Sequence, residues 1–255
     1  MNRWIRQLNP IAALLAPLPA MVIVVFSRDF ATPALFALWS LAVLAASGRW
    51  RWRAWLMLVV GCVTALAVLG FTIGVWLDPA RIQTPGTEVV LISIGSWRFT
   101  LAGYLAGLMT AARLVSLLLL ALTAGLFGDG ARLVRALIQV LGVPYRVGYT
   151  ALAAFRFVPR FRDEYRQIRV ARRLRGVHSH WWHVVPRTVG YAVPLLAGAL
   201  RHAERVALAM ESRGFGALSV RTERYREDWK RRDTAWLGLS WMLAAGVLVA
   251  VAVSG

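Results

Sequence analysis

Apolar residues run almost unbroken through the first half of this chain and become periodic in the second. Ile11 to Ser27 is nearly all apolar, with Pro17 and Pro19 predicting a kink or a thinned stretch. Further apolar runs cover Thr32 to Ser47, Ala54 to Trp76, about Phe99 to Phe127, and Ala235 to Val253. A membrane-crossing helix needs about 20 apolar residues. These runs therefore read as about four N-terminal spans and one C-terminal span. The Thr32 to Ser47 run is short enough to need tilt or a thinned bilayer. Leu77 to Trp97, with Pro79, Pro85 and Gly86, reads as a loop.

From Asp129 to Asp233 the pattern turns amphipathic. Ala131 to Leu141 sets Leu133, Val134, Leu137 and Leu141 against Arg132, Arg135 and Gln139, and Gly142 with Pro144 stops it. Val147 to Pro159 holds only about a dozen apolar residues around Arg156, the length of an interfacial or re-entrant helix. A separate helix is expected from Arg160 to Arg175. Its apolar stripe is Phe161, Tyr165, Ile168, Ala171 and Leu174, and Arg162, Arg166, Arg169, Arg172 and Arg173 take the other face. Val184 to Leu200 is apolar but broken by Pro186, Arg187 and Pro194, and the helix to Glu211 carries Leu200, Ala203, Ala207 and Met210 on one side. The organisation is thus 1–128 membrane spans, 129–233 a cytoplasmic or interfacial region of amphipathic helices, and 234–255 a last span. The fold class is all-α: a polytopic membrane helical bundle with cytoplasmic amphipathic helices.

Charge sharpens this picture. Of 255 residues 58% are hydrophobic and 16% charged, below the roughly one quarter usual in soluble domains. Lys+Arg number 30 against 12 Asp+Glu, a net of +18, and the segment from Asp129 to Asp233 carries +12 of it. Basic charge beside apolar spans points to cytoplasmic loops and anionic lipid rather than nucleic acid. Arg3 and Arg6, the Arg49–Arg53 cluster and the basic region then lie on the cytoplasmic side of the inner membrane. The Arg28 turn and the Leu77 to Trp97 loop lie outside.

Candidate chemistry is sparse. Cys62 is the single cysteine, which allows no intrachain disulfide. No phosphate loop, no H-E-x-x-H and no nucleophile elbow occurs, so neither an enzyme, a bound cofactor nor a resident metal is expected. His178, His180 and His183 flank Trp181 and Trp182 and read as an interfacial belt. Arg113 lies mid-span, where a cation needs backbone carbonyls, a partner subunit or a snorkelling route. A stand-alone permease or channel would line its path with polar groups, and these spans offer only Arg113 with scattered Ser and Thr.

Two Arg-Gly signatures stand out. V-A-R-R-L-R-G ends at Arg175 and Gly176, and A-L-A-M-E-S-R-G-F-G contains Arg213 and Gly214. In each, glycine stands where a helix C-cap wants positive φ, and arginine faces the negative end of the helix dipole. Capping alone would account for either one. Together with F-R-F-V-P-R-F-R-D-E-Y, which holds Arg156 and Pro159, the succession resembles the transmembrane T component of energy-coupling-factor transporters, the EcfT, CbiQ and BioN proteins. The resemblance covers about Leu101 to the C-terminus. It implies that Leu174-Arg175-Gly176 and Ser212-Arg213-Gly214 are ATPase-coupling signatures, with Leu174 and Ser212 in place of the family's alanine. It also implies that Arg156 and Pro159 belong to the family's Arg-Phe-x-Pro element. The implied partners are two cytoplasmic ABC ATPases, a membrane S component that carries the vitamin or transition-metal ion, and the lipid bilayer.

Overall fold

The structure is a computed structural model describing residues 8–27, 29–48, 52–76, 90–94, 97–126, 129–174, 184–217 and 225–254. The chain forms α1 (Pro10–Leu15), α2 (Leu18–Phe26), α3 (Ala31–Ala46), α4 (Trp52–Trp76), β1 (Val90–Ile94), β2 (Trp97–Thr100) and α5 (Leu101–Leu126). It continues as α6 (Gly130–Leu141), α7 (Tyr145–Leu174), α8 (Val184–Glu211) and α9 (Arg231–Ser254). Two compact units result, Met1–Asp129 with Trp229–Gly255, and Gly130–Asp228.

In the first unit α4, α5 and α9 are long and apolar enough to cross a membrane. The first predicted span is two helices, because the Pro17 ring removes an amide and the path breaks between Leu15 and Leu18. Asn9 caps α1 by accepting the Ile11 amide at 3.0 Å. Helix α3 has 16 residues, about 24 Å at 1.5 Å each, an apolar helix shorter than those long enough to cross a membrane. The segment between α4 and α5 is not all loop: β1 and β2 pair antiparallel, Ile92 opposite Phe99 and Ile94 opposite Trp97. The physical reason is the alternation of β-branched Val90, Ile92 and Ile94, which favours an extended strand.

Helix α5 is the centre of this unit, with 39% of its span buried inside the protein against 6% for α4 and 11% for α9. One apolar cluster joins Ala20, Val24, Phe36, Leu120 and Ala244; a second joins Leu44, Val115 and Leu119. Helices α4 and α5 approach closely through Gly70, Gly74, Gly103 and Gly107: a Cβ at position 107 would collide with the Gly70 carbonyl oxygen. The segment before α1 is tied to the first turn of α9 by Asp233, fully buried, which accepts the Asn9 and Lys230 amides at 2.8 Å each.

In the second unit α6 ends where Gly142 takes φ +69°, as the Gly142-Pro144 stop predicted. The two expected helices of 147–159 and 160–175 are instead one: α7 runs 30 residues with Pro159 inside it. Proline withdraws one amide from the ladder, and the turns on either side remain intact. Helix α8 likewise runs 28 residues through Pro194, joining the apolar stretch to the helix ending at Glu211.

The two long helices pack antiparallel. Phe157 stacks edge-on against His202 at 4.4 Å, and Tyr165 against Tyr191 at 5.5 Å. Arg172 donates to the Gly190 carbonyl at 2.7 Å and lies 4.7 Å over the Tyr191 ring. Arg172 therefore faces α8, contrary to its place on the predicted polar face, because a guanidinium can satisfy a carbonyl and a π-face together. On α8 the face toward α7 includes Tyr191, Gly198, His202 and Val206, whereas Leu200, Ala203 and Ala207 point outward.

Candidate coupling site

The site is built from the ends of α7 and α8. Beyond Glu211 the chain makes a Schellman turn around Gly214, at φ +70°. The Phe215 amide donates to the Met210 carbonyl at 3.0 Å and the Gly214 amide to that of Glu211 at 2.9 Å, the six-to-one and five-to-two bonds of that motif. Ser212 donates its hydroxyl to the Ala209 carbonyl at 3.1 Å. Orphan carbonyls of the last turn are thereby satisfied inside the tip.

The residues after the cap anchor it. Phe215 packs edge-on against Tyr145 at 5.8 Å and Tyr149 at 6.3 Å, both on the first turns of α7. Arg146 donates to the Gly216 carbonyl at 2.9 Å. Arg213 is left exposed, with no side-chain hydrogen bond or ion pair among the described residues. A cation is thus held at the end of a docked, capped helix and is open to a partner.

The end of α7 is partly described. Leu174 is its last residue, 83% exposed, and Arg172 and Arg173 occupy the last turn, where cations favour the helix dipole. Arg175 and Gly176 lie outside the described residues, as does the His178, His180 and His183 group. Because α8 ends against Tyr145 and Tyr149, the antiparallel pairing puts that tip and Leu174 at opposite ends of the pair. The 25 to 29 helical residues between them correspond to about 40 Å.

Arg156 is exposed on α7 and borders a 270 Å³ hollow between the two helices, with Phe157, His202, Val206 and Met210. Pro159 lies one turn on, inside the continuous helix. Arg113 belongs to the other unit. Its Nη2 donates to the Ser27 carbonyl at the C-cap of α2, a backbone partner of the kind its mid-span place required. The Thr32 hydroxyl, bonded to Asp29, holds that carboxyl below its usual range against an opposing desolvation; the Thr32 amide and the Arg113 charge add to the effect. No group of three His, Cys, Asp or Glu placed to hold a metal occurs among the described residues.

Sequence reasoning missed Tyr145, Arg146, Tyr149 and Phe215. A hydrophobic residue just after a C-cap glycine is a known companion of the Schellman turn, so Phe215 carried a readable signal; its aromatic seat did not.

The family described as CbiQ, cobalt transport protein, matches residues 1–224. An energy-coupling factor transporter transmembrane protein EcfT of Streptococcus thermophilus is 26% identical, covering 97% of this chain and 94% of its own. The protein of the same name from Listeria innocua is 28% identical over 97% and 93%. That of Limosilactobacillus fermentum reaches 41% over 39% of this chain and 38% of its own.

Proposed function

This chain belongs to the CbiQ family of cobalt transport proteins, and we propose that it is the scaffold that couples two cytoplasmic ABC ATPases to a separate membrane S component. Its α8 tip, with Ser212, Arg213 and Gly214, seats in one ATPase. The α7 tip, with Leu174, Arg175 and Gly176, seats in the other. ATP binding and hydrolysis change the separation of the ATPases and so the geometry of the helix pair. The S component carries the vitamin or transition-metal ion and determines which one is moved. The inner membrane holds the spans, with the N-terminus and the basic unit cytoplasmic.

The observation that carries this reading is the capped α8 tip with Arg213 exposed and without a partner among the described residues. A guanidinium there can bind a carboxylate or carbonyl in fork geometry. The spacing of about 40 Å between the helix ends gives each of two globular ATPases its own docking place. The outward Leu200, Ala203 and Ala207 stripe, continued by Leu196 at 67% exposure, gives an S component an apolar face to lie against.

Arg175→Ala combined with Arg213→Ala is the direct test. The double variant inserts into membranes but loses ATPase co-purification and uptake. Unchanged co-purification and uptake would overturn the coupling role.

A further inference from the structure

The chain passes into the basic unit at Gly130 and out of it at Asp228. Within that unit these two passages are fastened together. Residues 226–230 belong to no helix or strand, so their backbone groups need partners from elsewhere. Helix α6 supplies them. The Gln139 side chain donates to the Tyr225 carbonyl at 2.8 Å and accepts the Glu227 amide at 2.7 Å, completing the segment much as a neighbouring strand would.

Around this amide clamp sits a charge cluster. Arg132 grips the Glu227 carboxylate with two nitrogens, Nε at 3.0 Å and Nη2 at 2.9 Å. Arg135 Nη2 lies 3.7 Å from the same carboxylate, and its guanidinium lies 5.5 Å from the centre of the Tyr225 ring. The Glu227 side chain is only 13% exposed, so water screens this pair less than an ordinary surface bridge. Isolated surface pairs contribute little. Here a bidentate pair, a second cation, a two-point amide clamp and a ring contact all converge on one short stretch of return path.

We propose that Arg132, Gln139 and Glu227 are positioning residues for force transfer, a clasp that makes the two connections to the membrane unit act as one pivot. The inference rests on the scaffold reading above. A helix pair driven by ATPases moves the membrane unit only as far as its connections resist bending. Two independent connections would absorb part of the stroke; two connections held side by side at α6 transmit it. The clasp residues lie on α6 and on the return segment rather than on either helix tip, so their loss leaves ATPase docking intact.

The test uses the whole complex in lipid nanodiscs, in a Cys62→Ala background. Spin labels at Val60→Cys on α4 and Arg201→Cys on α8, both exposed and the latter off the Leu200, Ala203 and Ala207 stripe, report the distance distribution by pulsed electron resonance with and without ATP and vanadate. In the parent the distribution is narrow and shifts with nucleotide. Glu227→Gln broadens it by about twofold, since independent tethers sample a wider arc than one pivot, and abolishes the shift. ATPase co-purification and hydrolysis stay at the parental level. Exchanging the pair, Arg132→Glu with Glu227→Arg, restores the narrow, shifting distribution. A Glu227→Gln distribution like the parent's overturns the clasp, as does a loss of ATPase co-purification that the exchange does not repair. Failure of the scaffold reading looks different: the parent itself then recovers no ATPases.

Discussion

Gly214→Ala isolates the conformation of the α8 tip from its chemistry. The glycine has φ +70°, and a Cβ there would meet nothing nearer than the Ala217 Cβ at 4.0 Å. No clash contributes, so the cost is that of an L-residue in the left-handed region, about 1–2 kcal/mol. That strain is relieved if the Schellman bonds open and Phe215 leaves Tyr145 and Tyr149, which disorders the platform under Arg213 while the guanidinium itself stays. The partner must then restore the turn from its own binding energy. At about 1.4 kcal/mol per decade, affinity for the ATPase falls about 5–30-fold. On the proposed docking, where Arg213 meets a carboxylate of the ATPase, Arg213→Ala costs more, about 2–5 kcal/mol. Gly214→Asn recovers most of the affinity, because asparagine tolerates this φ. The assay is equilibrium binding of purified ATPase to the chain in nanodiscs. If Gly214→Ala binds like the parent, the capped geometry is irrelevant. If Gly214→Asn binds as poorly as Gly214→Ala, bulk rather than φ matters, and the reasoning fails either way.

Packing and charge give three further outcomes. Gly107→Ala drives a Cβ into the Gly70 carbonyl oxygen, and the overpacking, about 1–3 kcal/mol, lowers thermal stability in detergent by about 5 °C. Gly61→Ala, with open space around its Cβ, leaves that stability unchanged. Asp233→Ala strands the buried Asn9 amide and the Lys230 amide, at about 1–3 kcal/mol for each group left unsatisfied; limited proteolysis then cuts before α1 in the variant and not in the parent. Asp29 has a lowered folded pKa, so its stabilisation is complete above the unfolded carboxylate value of about 3.9 and disappears as pH falls through the folded value. The melting difference between parent and Asp29→Asn is therefore largest near neutral pH and closes on strong acidification; a constant difference would refute the assignment.

Much of this architecture was legible because it is local. Apolar runs long enough to cross a bilayer mark α4, α5 and α9, and Gly142 ends α6 where a left-handed residue is needed. Proline misled the reading of α7 and α8. A proline inside a helix costs about 3 kcal/mol, which looks like a boundary in sequence. Contacts such as Phe157 with His202 and Tyr165 with Tyr191 hold the helix through that cost, and they join residues far apart in the chain. Strand β1 was readable from its alternating Val90, Ile92 and Ile94, but Pro79 and Pro85 drew attention to turns instead.

The candidate site divides in the same way. Arg213, Gly214 and the cap they form follow from a few adjacent residues, because a helix C-terminus is closed by its own next two amides. The seat of Phe215 between Tyr145 and Tyr149, the turn of Arg172 onto Tyr191 and the grip of Arg132 on Glu227 across 95 residues do not. Sequence by itself determined where the chain is apolar, where α6 and α8 stop, and that Arg213 stands at the capped end of α8, since hydrophobic burial and capping act over one or two turns. Only the tertiary structure decided which faces meet, that α7 and α8 run antiparallel, and hence that α8 ends against the start of α7, about 40 Å from Leu174; pairing of distant surfaces depends on shape and direction that no local pattern contains.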